Sequence, residues 1–186
     1  MLKRILGLML VAFLIGGCVN RDEVYANPPV ELIEYVDGVL PAAAQFVYEN
    51  ERKALENGIK LNAKQMDIAR KVGLKYPEKV RLYYVDRLPF PEEPELAKLA
   101  KLAKLAKEYG YSSPFMGAYT YGYGIWIKRA ESTNQVLLSH ELIHVRQAEQ
   151  MGLKEQTKQY LLQLFIYGYE NAPMEKEAYS EANKYT

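Results

Sequence analysis

Apolar and polar positions follow three rhythms along this chain. The first is an unbroken run: Ile5 to Ile15 is apolar apart from Gly7 and follows a basic start, Lys3 and Arg4. The second has the three-to-four spacing of a helix buried on one side. It predicts a helix over Val30–Asn57 with a break at Gly38–Pro41, because Pro opens helices more readily than it continues them. Leu40, Ala44, Val47, Tyr48 and Leu55 form its loose apolar stripe. Asn62 with Gln65 is a capping-box pair. It starts a helix carrying Met66, Ile68, Ala69 and Val72, which Gly73 ends.

The third rhythm is the alternation of strands. Val80–Val85 is β-branched and aromatic and predicts a strand, ended by the prolines between Pro89 and Pro94. Thr120–Lys128 predicts another. Its alternation puts Thr120, Gly122, Gly124, Trp126 and Lys128 on one side, where a second backbone can approach the glycines. Ser132 with Gln135 reads as a second capping box. It opens a long helix through His140 and His144 to Gly152. A helix over Leu153–Tyr167, a turn over Gly168–Pro173 and a last helix over Met174–Lys184 complete the pattern. Leu96–Lys107 breaks all three rhythms with four copies of Leu-Ala-Lys. These are helix formers, but in a period of three each Leu falls about 60° behind the last. The repeat therefore reads as a surface helix with some leucines buried, in preference to a membrane-contacting amphipathic face.

Composition narrows the choice. A chain of 186 residues fits one domain, and 49% hydrophobic with 25% charged residues excludes a disordered chain, a collagen and a disulfide scaffold. Lys+Arg number 24 against 23 Asp+Glu, so no basic excess supports nucleic-acid binding. A single Cys makes neither an intramolecular disulfide nor a Cys-rich zinc site.

The apolar run is shorter than the about 20 residues needed to span a bilayer core and has the flanks of a secretory signal. Its end, Ile15-Gly16-Gly17-Cys18, resembles the bacterial lipobox. That resemblance implies cleavage before Cys18 and acylation of Cys18, and Val19 after it implies the outer membrane, facing the periplasm. The expected organisation is a signal peptide over 1–17, a lipidated Cys and tether over 18–29, and one domain over 30–186. An ordinary signal peptide or an N-terminal membrane helix with an incidental Cys is the simpler alternative.

Both histidines of the chain stand in His140-Glu141-Leu142-Ile143-His144. Residues four apart share a helix face, so two imidazoles at this spacing can meet one zinc ion. Glu141 lies about 100° round the helix from His140, where it can reach a metal-bound water and take its proton. A catalytic zinc needs a third protein ligand. With no further His and Cys18 assigned elsewhere, that ligand is Asp or Glu.

GYGIWIK, LLSHELIHVRQ and GYENAPMEKEAY together resemble compact zinc metallopeptidases of the gluzincin-like class, over roughly residues 60 to 182. In gluzincins the third ligand is a Glu on a later helix, followed three residues on by Ala and then a polar residue. Glu175 with Ala178 and Tyr179 matches that pattern; Glu177 is the competitor, as ligand or as a group that orients one. The resemblance implies a metal-bearing helix pair beneath a small mixed sheet, with an edge strand along the cleft that binds extended substrate. Thr120–Lys128 is its best match, with Tyr121, Gly122, Tyr123 and Gly124 as the stretch facing substrate. Some larger zincins stabilise the oxyanion with an extra His or Tyr segment that this chain lacks. Tyr121, Tyr123, Tyr169 and Tyr179 are the substitutes on offer.

The expected fold is α+β and mostly helical. The expected function is a zinc-dependent peptidase held to the bacterial cell envelope by lipid, with peptide or protein as substrate. Its rivals are a non-catalytic zinc-binding lipoprotein that serves as an assembly module, and a metal hydrolase of a non-peptide bond.

Overall fold

The computed structural model describes residues 20–94 and 117–186. Cys18 with its signal and the Leu-Ala-Lys repeat lie outside the described residues. The described fold is α+β and mostly helical, with a small mixed sheet packed between helices. Its helices are α1 (Arg21–Ala26), α2 (Val30–Asn57), α3 (Ala63–Val72), α4 (Gln135–Met151), α5 (Leu153–Tyr167) and α6 (Pro173–Ala182). Its strands are β1 (Ile59–Lys60), β2 (Arg81–Val85), β3 (Ala118–Tyr121) and β4 (Gly124–Lys128).

The sheet runs β1-β2-β4-β3. β2 and β4 are parallel, with Leu82 opposite Ile125, while β1 and β3 join antiparallel at the two edges. On one face Leu82, Ile125, Ile127 and Ala118 pack with Ile68 and Val72 of α3 and with Leu137, Leu142 and Ile143 of α4. On the other, Tyr121 and Trp126 pack against Ala54, Phe46 and Val47 of α2.

Several expectations need correction. α2 is continuous through Gly38–Pro41. Pro41 lies on the exposed side of the helix, where water can bond the carbonyl that its missing N–H abandons. Of the expected stripe, Leu40 and Ala44 are buried, together with Leu32, Val36, Val39, Ala43 and Ala54, whereas Tyr48 and Leu55 are exposed. The segment read as a tether carries α1, docked on α5: Tyr25 donates to Gln159 at 2.7 Å and Tyr167 to Asp22 at 2.7 Å. Thr120–Lys128 is a hairpin instead of one strand, with Gly122 and Tyr123 as its turn. Gly122 takes φ of 56°, a left-handed value that lets the chain reverse in two residues. The reversal resets the alternation, so Thr120 pairs across from Ile125 on the α4 side and Tyr121 turns to α2. The expected close approach does occur at Gly124, where a Cβ would stand 2.6 Å from that of Ala54. Finally, α4 is capped by Asn134, whose side chain accepts from Leu137 N at 3.0 Å, and Ser132 plays no such part.

The remaining boundaries hold to within a residue or two. The Asn62–Gln65 capping box forms, and Gly73 ends α3 at φ of 94°. Gly152 ends α4, and α5 covers Leu153–Tyr167. α6 stops at Ala182, and a single 3-10 turn follows it.

Candidate metal centre

α4 is the central helix. Every residue from Leu137 to Val145 is buried, its polar side chains included. His140, Glu141 and His144 are exposed by only 1%, 3% and 9%. α6 packs across α4 and brings Glu175, 2% exposed, onto the two rings. Gln163 of α5 sets the start of α6 by accepting from Met174 N at 2.9 Å. Pro173 at the first helical position needs no partner for its nitrogen.

The donor atoms converge. His140 Nε2 and His144 Nε2 are 3.1 Å apart; Glu175 Oε2 lies 3.3 Å from the first, and Oε1 lies 3.7 Å from the second. One ligand atom from each residue falls within 4.8 Å of the others. Ligands at about 2.0–2.1 Å from a tetrahedral zinc stand roughly 3.3–3.4 Å from each other, so these separations fit one ion. Tyr160 of α5 donates its hydroxyl to Glu175 Oε1 at 2.8 Å. Oε2 faces His140 and accepts no other hydrogen bond among the described residues, which leaves a buried carboxylate oxygen pointed at the point of convergence. A His-His-Glu set of this kind can hold a metal ion.

The electrostatics say the same. Burial opposes ionisation of Glu175, but His144, His140 and the Tyr160 hydroxyl outweigh it and hold the carboxyl down at about 2. Burial pulls His144 down, yet Glu175 and Glu141 reverse that and raise it. The pocket therefore attracts positive charge even though it is buried. Glu141 behaves differently: burial raises its carboxyl despite the two histidines and a hydrogen bond from Thr120. Thr120 Oγ1 lies 2.7 Å from Glu141 Oε2 and 3.1 Å from its main-chain oxygen, so β3 fixes where this carboxylate points.

A cleft of about 560 Å³ opens over the triad. β3, an edge strand among the described residues, forms one wall and Phe46, Val47, Leu161 and Leu164 line others. Of the stretch expected to face substrate, Tyr121 lines the cleft. Gly122 and Tyr123 form the turn, and Gly124 lies on inner strand β4. Tyr121 packs edge-on against Phe46, and Tyr123 donates to Glu149. Tyr169 lines the cleft, and the Tyr179 ring lies tilted against His140 with centroids 4.7 Å apart.

Glu177 lies apart from the triad. It accepts from Gln147 at 2.8 Å and from Arg146 at 2.6 Å. Sequence reasoning missed Thr120, Gln147 and Tyr160. Gln147 was within reach, since it stands three residues after His144 on the same helix face. Tyr160 carried no local signal, because only the packing of α5 on α6 brings it to Glu175.

Comparison of the chain with family models, with curated proteins and with solved structures finds no match.

Proposed function

We propose that this chain is a zinc-dependent peptidase of the gluzincin type, tethered by lipid at Cys18 to the bacterial cell envelope, in the outer membrane and facing the periplasm. The observation that carries the reading is the buried convergence of His140, His144 and Glu175 beside a carboxylate, Glu141, held by Thr120. Zinc in this set would polarise the scissile carbonyl and acidify a bound water. Thr120 occupies Glu141 Oε2, which would leave Oε1 to take the proton from water and return it to the leaving amine. Burial raises Glu141, which makes it a better base than an exposed carboxylate. Tyr160 holds Glu175 Oε1 and leaves Oε2 for the ion. An extended peptide along β3 would lie in the cleft with its carbonyl over the triad.

Glu141→Gln tests the catalytic part. The variant should bind one zinc as tightly as wild type and lose cleavage of a peptide library by about 10²–10⁴-fold. Equal cleavage by both proteins sinks the assignment. A wild type that binds zinc and cleaves nothing favours the assembly-module reading. For the anchor, mass spectrometry of the wild type should show an acylated amino-terminal Cys18; a Cys18 still joined to Gly17 and unmodified refutes it.

A further inference from the structure

One turn beyond His144, α4 carries an amide with both ends engaged. Gln147 is 1% exposed; its Oε1 lies 2.8 Å from His144 Nδ1, and its Nε2 donates to Met174 O at 3.1 Å and to Glu177 Oε2 at 2.8 Å. Chemistry decides which way this amide points. A main-chain carbonyl and a carboxylate can only accept, so the NH2 must face them. The flipped amide would set its oxygen against two acceptors. The oxygen therefore faces His144, and an amide oxygen can only accept, so Nδ1 must donate.

We infer that Gln147 is the positioning residue of the metal centre. It holds His144 as the Nδ1–H tautomer before any metal arrives, so the neutral ring turns the lone pair of Nε2 toward His140 Nε2 and Glu175. The same amide grips α6 on both sides of Glu175, at Met174 and at Glu177, and so ties the two ligand-bearing helices together. Glu177 is held in turn by Arg146, which also bonds Val72 O at 2.9 Å and Glu181 at 2.8 Å. The anchor thus reaches from the ring to α3. A carboxylate at position 147 would set lone pairs against Met174 O and Glu177, so the site needs an amide here. Free imidazole in water favours the Nε2–H tautomer, which would turn a proton toward the metal position. Orienting partners of this kind are worth about 10–100-fold in metal affinity.

The inference rests on His144 as a ligand, but the tautomer is measurable without metal. Long-range 1H–15N correlation on chelator-treated protein, above the pH at which the ring loses its second proton, should show His144 protonated at Nδ1. Gln147→Met keeps the volume and removes both polar ends. It should move His144 toward Nε2–H and weaken zinc binding by about 10–100-fold, read by competition with a chromophoric chelator. A Gln147→Met protein that melts lower but keeps tautomer and affinity overturns the inference, because the role is then only structural. If that variant fails to fold, the wild-type spectrum decides: Nε2–H refutes the assignment and Nδ1–H supports it. A wild type with Nδ1–H that takes up no zinc sinks the metal reading, and with it any part for Gln147 in placing a ligand.

Discussion

The two faces of the sheet bury polar groups in opposite ways. Toward α2, the polar groups serve the backbone: Asn50 Nδ2 donates to Phe46 O, Trp126 Nε1 donates to Asn50 O, and Glu51 accepts from Tyr123 N. The rest of that face is aromatic and aliphatic, with Gly124 pressed against α2. Toward α4, two imidazoles and two carboxylates share one buried corner with Leu82, Ile125 and Leu142 close by in the core. Burying ionisable groups is expensive unless each is compensated. A fold under selection for stability alone could build both faces in the manner of the first. The second concentrates its cost at one point, where the His-His-Glu group could hold a cation that offsets it, and that contrast marks the α4 side as the candidate functional face.

The largest effects should come from breaking that corner. Three ligands hold zinc far better than two, so Glu175→Ala or His144→Ala should abolish stoichiometric zinc uptake, measured by metal analysis after dialysis. Glu177→Ala should weaken it only by about 10–100-fold, because Glu177 acts through Gln147. Zinc retained by Glu175→Ala and lost by Glu177→Ala would move the ligand by two positions. Metal removal should also separate the faces energetically. At 100 times its Kd, zinc should stabilise the wild type by about 2.7 kcal/mol and the Glu175→Ala protein hardly at all.

How much of this contrast the sequence discloses follows from where its signals are local. His140, Glu141 and His144 are legible because a helix fixes the relation between residues four apart. Glu175 is legible through its short local pattern with Ala178. The capping box at Asn62 and the stop at Gly73 are local in the same sense. The hairpin at Gly122 was hidden because Tyr-Gly-Tyr-Gly continues the strand alternation through the turn, and nothing in the pattern marks the reversal. Pro41 misled because its effect depends on whether the abandoned carbonyl faces water or protein, which is settled only by packing. Thr120 and Tyr160 reach the site across 21 and 15 residues of chain, beyond any local rule.

The α2 face should respond in stability and leave the metal untouched. Trp126→Ala removes a largely buried indole and should cost about 3–5 kcal/mol in urea unfolding. The folded fraction should still bind one zinc, because no ligand touches Trp126. Loss of zinc in folded Trp126→Ala protein would show that the two faces are not independent. Pro41→Ala gives a smaller effect of opposite sign. It restores a donor for the Asp37 carbonyl inside a helix that already runs through this position, and should stabilise by about 1 kcal/mol. Destabilisation would mean that α2 depends on the Pro.

The smallest and most discriminating contrast is in acid. Glu181 on α6 is lowered chiefly by its hydrogen bond from Arg146, against a lesser cost of burial. Its folded state holds the proton less tightly than the unfolded chain, so its contribution is present above the unfolded value of about 4.3 and is lost as pH falls through its folded value. Glu51 on α2 is raised, chiefly by burial, with the Tyr123 N–H opposing. There the fold favours the protonated form, so acid moves the balance toward the folded state between Glu51's folded value and about 4.3. Each effect should be under about 1 kcal/mol, since both groups are partly solvated. Measured by urea unfolding, wild type should exceed Glu181→Gln at pH 7, with the gap closing in acid. Against Glu51→Gln, wild type should instead gain as pH falls toward about 4.3. Gaps of the same slope for both variants would mean that carboxylates on the two faces are solvated alike, and the contrast between the faces would not extend beyond the metal corner.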